Sequence, residues 1–313
     1  MPTSVDIIIP TYKPDERLLD IIGKLRAQTL APSRIVLINT EQKYLANLLR
    51  GKKYDTTGKL FEVKNISFRE FDHGSTRNEG AKGSVADYLL FMTQDAMPYD
   101  EHLIEKMVAA FSNPKVAAAY ARQLPYEGAS LGERFSRGFN YPETSSIKSL
   151  EDKDRLGIKT YFCSNACAMY KREVFESLGM FPKDMIFNED MVFAHSIIKN
   201  GYSIAYVADA SVYHSHNYTN MQQFHRNFDL AVSQAMHPEV FLDVSSESEG
   251  KSYVKAAFAY FKSEKRPLYC LLFAIGSAFR LAGYKLGKNY KRLSRRMILR
   301  CTASPNYFFK HWS

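Results

Sequence analysis

Asp95 closes an apolar run, Tyr88-Leu89-Leu90-Phe91-Met92-Thr93-Gln94-Asp95-Ala96, just before Met97-Pro98. The run has strand length, and ligands of open α/β sheets bind beyond the carboxyl ends of strands. Asp95 is therefore expected beside a bound phosphate or metal, with Gln94 as its neighbour. A turn-forming Asp would have the same spacing. A single carboxylate can hold Mn2+ or Mg2+ when diphosphate oxygens and water complete the octahedron. His214 and His216 end a strand-like segment on one face, and either could be a further metal ligand.

Asn188-Glu189-Asp190 is the second acidic group. Asn188 is expected to cap a helix with Glu189 and Asp190 in its first turn, where acidic residues are favoured without any catalytic role. The chemical reading makes Asp190 a general base toward an acceptor hydroxyl and Glu189 the neighbour that orients or tunes it. Pro10-Thr11-Tyr12 follows the first strand, so backbone N–H groups and one aromatic ring are expected at the ligand edge. In His73-Gly74-Ser75-Thr76-Arg77-Asn78 a glycine permits close backbone approach, and Arg77 falls in a first helical turn, where phosphate oxygens bind well. An ordinary capped helix with a surface Arg explains the same residues.

These groups need a scaffold that gathers strand ends. Residues 5–9, 34–39, 60–66 and 88–93 read as strands, with a helix between the first two marked by Leu18, Ile21, Ile22 and Leu25. Thr76 and Glu79 have capping-box spacing, which starts a helix at Arg77. The alternation predicts an α/β fold with a mostly parallel sheet flanked by helices. Further on, a helix over 101–111 and a strand over 116–121 precede a polar, Gly- and Ser-rich stretch, 124–159, that reads as irregular. Residues 166–170 read as a strand, 171–178 as a helix and 202–212 as a strand. Residues 188–200 form a further helix that stops at Asn200-Gly201. From Met221 the pattern is helical, and 245–250 resembles a linker.

The formal charge of +9 is uneven: residues 251–313 carry 14 Lys/Arg and one Glu, whereas the remainder is slightly acidic. An apolar stretch over 268–283, interrupted by Arg280, is shorter than the roughly 20 residues of a membrane span. Followed by Lys285, Lys288, Lys291, Arg292, Arg295, Arg296 and Arg300, it fits a helix lying on an anionic membrane surface. The tail lacks a nucleic-acid module, so no nucleic-acid partner is expected. It is also expected to be separable, so that its removal would spare donor chemistry. The four cysteines lack disulfide or zinc spacing, and the polar start runs into the first strand without a leader pattern, which points to a cytosolic location.

In order along residues 4–230, these motifs resemble an inverting glycosyltransferase of family 2. The resemblance implies a GT-A domain over 1–230, with a nucleotide-sugar half (1–100), an acceptor half (101–230) and a helical, basic region over 231–313. More narrowly, Phe71-Asp72-His73-Gly74-Ser75-Thr76-Arg77-Asn78 and Thr93-Gln94-Asp95-Ala96 resemble bacterial rhamnosyltransferases of surface-polysaccharide synthesis. Donor contacts are then expected from Pro10, Thr11, Tyr12, Asn39, His73, Gly74, Arg77, Gln94 and Asp95. Metal contacts are expected from Asp95, His214 and His216, and catalysis from Asp190 and Glu189. The resemblance implies dTDP-L-rhamnose as donor and a lipid-linked saccharide as acceptor at the inner face of the cytoplasmic membrane. UDP-hexose or UDP-galactofuranose are the nearest alternative donors. A nucleotidyltransferase would want a basic Gly-rich loop near the N-terminus, and none is visible. A non-catalytic carbohydrate-binding protein would not need Asp190. The family often has acidic residues after the second strand, where this chain has Asn39-Thr40-Glu41. It also often has two metal carboxylates, where this chain has Asp95 alone.

Overall fold

Val5, Ile7, Ile8 and Ile9 are fully buried, as expected of a strand covered on both faces. Their alternation divides the core: Ile7 and Ile9 pack with Leu18, Ile21 and Leu25, while Ile8 packs with Val36, Ile38 and Phe91 on the other face. A computed structural model describes residues 3–52, 61–242, 244 and 246–312 of the chain.

The strands are β1 (Val5–Tyr12), β2 (Arg34–Thr40), β3 (Phe61–Ile66), β4 (Tyr88–Met92), β5 (Met97–Pro98), β6 (Val116–Leu124), β7 (Ser146–Lys148), β8 (Cys167–Lys171) and β9 (Ser203–Tyr213). They form one sheet in the order β3-β2-β1-β4-β8-β6-β9-β5, with β7 on β9. The first four run parallel, β8 is antiparallel to β4 and β6, and β6 and β9 are parallel again. The expected strands are all present; Leu60, expected to begin the third, lies outside the described residues.

The helices are α1 (Glu16–Arg26), α2 (Gln42–Leu49), α3 (His73–Ala81), α4 (Leu103–Ala109), α5 (Leu131–Asn140), α6 (Lys153–Leu156), α7 (Arg172–Ser177), α8 (Glu189–Lys199), α9 (Asn220–Met236), α10 (Pro238–Phe241), α11 (Ser246–Ser263), α12 (Pro267–Lys288), α13 (Arg295–Cys301) and α14 (Pro305–Trp312). Several differ from the sequence expectation. α3 begins at His73 rather than Arg77, because Asp72 is its cap and accepts from Ser75 N at 2.6 Å. Thr76 Oγ1 instead accepts from Asp72 N, so the Thr that suggested a later start closes the earlier cap. Asn188 makes no side-chain cap; it sits at φ 63°, the left-handed region that Asn tolerates well.

The stretch over 124–159 is also more regular than expected. α5 is capped by Ser130, which accepts from Glu133 N, and buries Phe135 against Phe261 and Phe273 of α11 and α12. Its frequent Gly and Ser hid the four-residue spacing of Leu131, Phe135 and Phe139. The expected linker at 245–250 is helical from Ser246; Ser245 lies outside the described residues.

The basic region packs on α9. α12 is longer than the apolar stretch that marks it, at 22 residues, long and apolar enough to cross a membrane by length and composition. One of its faces lies against α9: a Cβ at Gly283 would come within 2.2 Å of Phe224 O, and one at Gly287 within 2.3 Å of Phe228 O. Residue 230 lies inside α9.

Candidate active site

The carboxyl ends of β1, β2 and β3 carry a polar ladder, buried at Thr11 and Asn39 and exposed at Asn65. Thr11 Oγ1 donates to Asn39 Oδ1 at 3.2 Å, and Asn39 Nδ2 donates to Asn65 Oδ1 at 2.7 Å. The parallel register causes this, since Thr11 pairs with Asn39 and Asn39 with Asn65. Asn65 carried no separate signal in the sequence. Pro10 is the rung before Thr11, opposite Ile38. Gln94 holds both backbone groups of Tyr12, accepting from its N and donating to its O at 2.9 Å each. The Tyr12 ring stacks on Phe68 at 5.4 Å and meets the edge of Tyr44 at 5.5 Å. The result is an aromatic shelf at the strand ends, of which the sequence reading had only Tyr12.

Tyr12, Phe68, Phe71 and His73 line a cleft of about 740 Å³ whose other wall is the C-terminal segment, including Tyr307 and Lys310. Burial pushes the His73 imidazole below its ordinary pKa, toward the neutral form. Gly74 serves the protein's own backbone: a Cβ there would stand 1.9 Å from Pro182 O. Asn78 fastens the same loop, exchanging two hydrogen bonds with the Phe181 backbone, and Asp72 Oδ2 accepts from Met185 N. The start of α3 is thereby locked to the segment leading into Glu189.

Arg77 departs from expectation. It is 6% exposed; its Nη1 lies 3.1 Å from Glu189 Oε1 and donates to His73 O at 2.8 Å. Phosphate is not what this guanidinium faces. Its partner is the buried acid next to Asp190.

Asn165 holds both acids. Its backbone N donates to Asp190 Oδ2 at 3.1 Å and its Nδ2 to Glu189 Oε1 at 3.3 Å, while Tyr170 Oη donates to its Oδ1. The two carboxyls diverge. Asp190 is pushed up to about 7, chiefly by burial and then by the adjacent Glu189 charge. Burial also pushes Glu189 up, but the Arg77 charge, helped by His73, a backbone N–H and the Asn165 amide, outweighs it and leaves Glu189 below its ordinary value. Nothing in the sequence marked Asn165.

Asp95 meets both histidines. His214 Nε2 lies 3.5 Å from Asp95 Oδ1, His216 Nε2 lies 3.3 Å from Asp95 Oδ2, and the two Nε2 atoms are 3.1 Å apart. The Gln123 amide sets the tautomer of His214. Gln123 Nε2 donates to Ser164 Oγ and Gln123 Oε1 accepts from Arg137, so His214 Nδ1, at 2.8 Å, is the donor to that same oxygen. His214 Nε2 therefore turns a lone pair toward a carboxylate, an arrangement that asks for a cation between them. Burial pushes His214 down to about 3 and lowers His216. Ligands at right angles around a cation with bonds of about 2.1 Å stand about 3.0 Å apart, close to the separations here. The three residues fit a divalent ion.

One hydrogen-bonded path joins the two centres: His214 to Gln123, Gln123 to Ser164, and the adjacent Asn165 to Asp190. Thr93 N also donates to Ala166 O, where β4 and β8 pair. Asp95 and Asp190 thus belong to the same end of the sheet.

Residues 6–179 match the family described as Glycosyl transferase family 2. The chain belongs to glycosyl transferase family 2. The transferase is 37% identical to the O-antigen chain rhamnosyltransferase RfbN of Salmonella typhimurium, over 92% of this chain and 91% of that protein. It is likewise 37% identical to the O-antigen chain rhamnosyltransferase WbaN of Salmonella anatum, over 93% and 91%. Its fold is similar to that of mannosyltransferase PcManGT from Pyrobaculum calidifontis, solved with GDP-Man and Mn2+, at TM-score 0.61, 15% identity and coverage of 94% and 89%. It is also similar to S. aureus TarS 1-349 in complex with UDP-GlcNAc, at TM-score 0.50, 16% identity and coverage of 93% and 92%. The GT-A architecture expected from the sequence is the one observed.

Proposed function

We propose that this transferase moves L-rhamnose, with inversion, from dTDP-L-rhamnose to a lipid-linked saccharide at the inner face of the cytoplasmic membrane. The observation that carries the sugar assignment is the likeness, over nine-tenths of both chains, to two O-antigen rhamnosyltransferases. In this reading the Tyr12–Phe68 shelf and the Thr11–Asn39–Asn65 ladder receive the nucleoside. Asp95, His214 and His216 would hold Mn2+ or Mg2+. A divalent cation, when bound, supplies charge neutralisation for the departing nucleoside diphosphate. Asp190 accepts the proton of the acceptor hydroxyl as that oxygen attacks the anomeric carbon from the face opposite the diphosphate. The divergent surroundings of Glu189 and Asp190 support that assignment.

Membrane attachment is supported by the outer face of α12, where Leu268, Leu271, Leu272, Ile275 and Leu281 are 43–65% exposed and Lys285 and Lys288 lie in the last turn. The test of the activity is a donor screen that scores nucleoside diphosphate release with and without Mn2+. Turnover with dTDP-L-rhamnose and not with UDP-hexoses is expected, with transfer reduced by about 10²-fold or more in Asp190→Asn. Preferential turnover of another nucleotide sugar would overturn the rhamnosyl assignment.

A further inference from the structure

We propose that Arg77 is a positioning residue that fixes the negative charge of the Glu189–Asp190 pair on Glu189, leaving Asp190 as the member that exchanges a proton with the acceptor. This rests on the reading of Asp190 as general base. Two adjacent carboxyls at the start of one helix, both tied to Asn165, would otherwise share their charge and titrate as a pair. The geometry breaks the symmetry. Arg77 Nη1 reaches Glu189 Oε1, and the side chains of both residues are more than nine-tenths buried. Among the described residues, the hydrogen bonds to Asp190 come from the neutral N–H groups of Asn165 and Met191, and the Arg77 charge acts on it without a contact.

The thiol and the phenols facing the pair carry no charge near neutral pH. Burial pushes Cys163 and Tyr141 up to about 12 and raises Tyr170 well above its ordinary value. Burial lowers His73, favouring its neutral form, although it still acts with Arg77 to lower Glu189; Asp72 and Arg226 lie beyond it. Arg77, whose guanidinium is always charged and touches Glu189 rather than Asp190, decides between the two acids. The lock between α3 and residues 181–185 holds it in place.

The experiment is the pH dependence of kcat for the wild type and four variants, read with secondary-structure content and donor affinity as checks on folding. Wild type and Arg77→Lys should show an acid limb of a single ionisation. Glu189→Gln removes the like charge and should move that limb down by about one pH unit or more. Arg77→Gln should broaden the limb into two ionisations, as the two acids then share one proton. Adding Glu189→Gln to Arg77→Gln should restore a single limb, a rescue that a purely structural arginine would not permit. If Arg77→Gln folds poorly, Glu189→Gln carries the test alone. A limb left in place by Glu189→Gln, or an unchanged limb shape in a folded Arg77→Gln, overturns the proposal. The underlying reading is checked separately: full transfer by Asp190→Asn would remove the base itself, whereas an inactive Asp190→Asn with unmoved limbs would refute the role of Arg77 alone.

Discussion

At the scale of residues, the paired acids at the start of α8 and the histidine beside Asp95 are each held by a neighbouring side chain, Arg77 and Gln123. Glu189 and Asp190 are neighbours in sequence, yet Arg77 and burial send them in opposite directions. Burial keeps His214 unprotonated down to about pH 3, and the Gln123 amide selects which ring nitrogen carries its hydrogen. Outer partners of this kind typically matter by 10–100-fold in metal affinity. Gln123→Leu should therefore weaken Mn2+ binding by about tenfold or more, measured by titration of the free ion in the absence of donor. Unaltered Mn2+ affinity in that variant would show that His214 needs no such orientation. The sign of the His214 shift also predicts a stability effect. The unfolded chain binds that proton below about pH 6.5 and the folded one only below about 3, so the metal-free fold loses stability from His214 as pH falls through that window.

At the scale of elements, α3 joins β1 to the segment that carries Glu189 and Asp190. Its Gly80 lies on β1, where a Cβ would come within 2.3 Å of Ile8 Cγ2, and its Gly74 lies on the loop that enters α8. Both close approaches serve packing. That loop uses left-handed backbone at Gly179, Met180, Asp184 and Asn188, a run that needs outside support, and Asp72 and Asn78 supply it. Gly74→Ala places a methyl group against Pro182 O, a backbone atom that cannot rotate away. A loss of about 1–3 kcal/mol is expected from such overpacking, read as a lower midpoint in urea. Transfer should fall further than donor binding, because the displaced segment carries Asp190. A variant as stable and active as wild type would contradict the close approach.

At the scale of the whole molecule, the basic region is integrated with the enzyme. Thr302 Oγ1 and Ala303 N donate to the buried carboxylate of Asp229 at 2.5 and 3.0 Å, and α14 walls the cleft opposite Tyr12 and His73. Removing residues 251–313, which from the sequence was expected to spare donor chemistry, would strip that wall and leave Asp229 unpaired. Point variants on the outer face of α12 are the sharper test of attachment. Leu271→Glu with Leu272→Glu should lower binding to vesicles containing anionic lipid by at least about tenfold, since each buried Leu contributes about 1.5–3 kcal/mol. Donor hydrolysis in solution should persist. Vesicle sedimentation equal to wild type would argue against this face as the membrane contact.

The sequence by itself determined the strands, their order along the chain and the residue types at their ends, because burial on both faces writes continuous apolar runs and ligands collect where those runs stop. Asp95, His214, His216, Glu189 and Asp190 could all be singled out from local spacing. Tertiary structure decided who their partners are. Arg77, 112 positions before Glu189, reads locally as a phosphate ligand or as an ordinary surface Arg, and Asn165, Gln123 and Asn65 read as nothing in particular. Their roles arise from register across the sheet and from helix-on-loop docking, which depend on distances in space between residues far apart in the chain. Local periodicity carries no record of those distances.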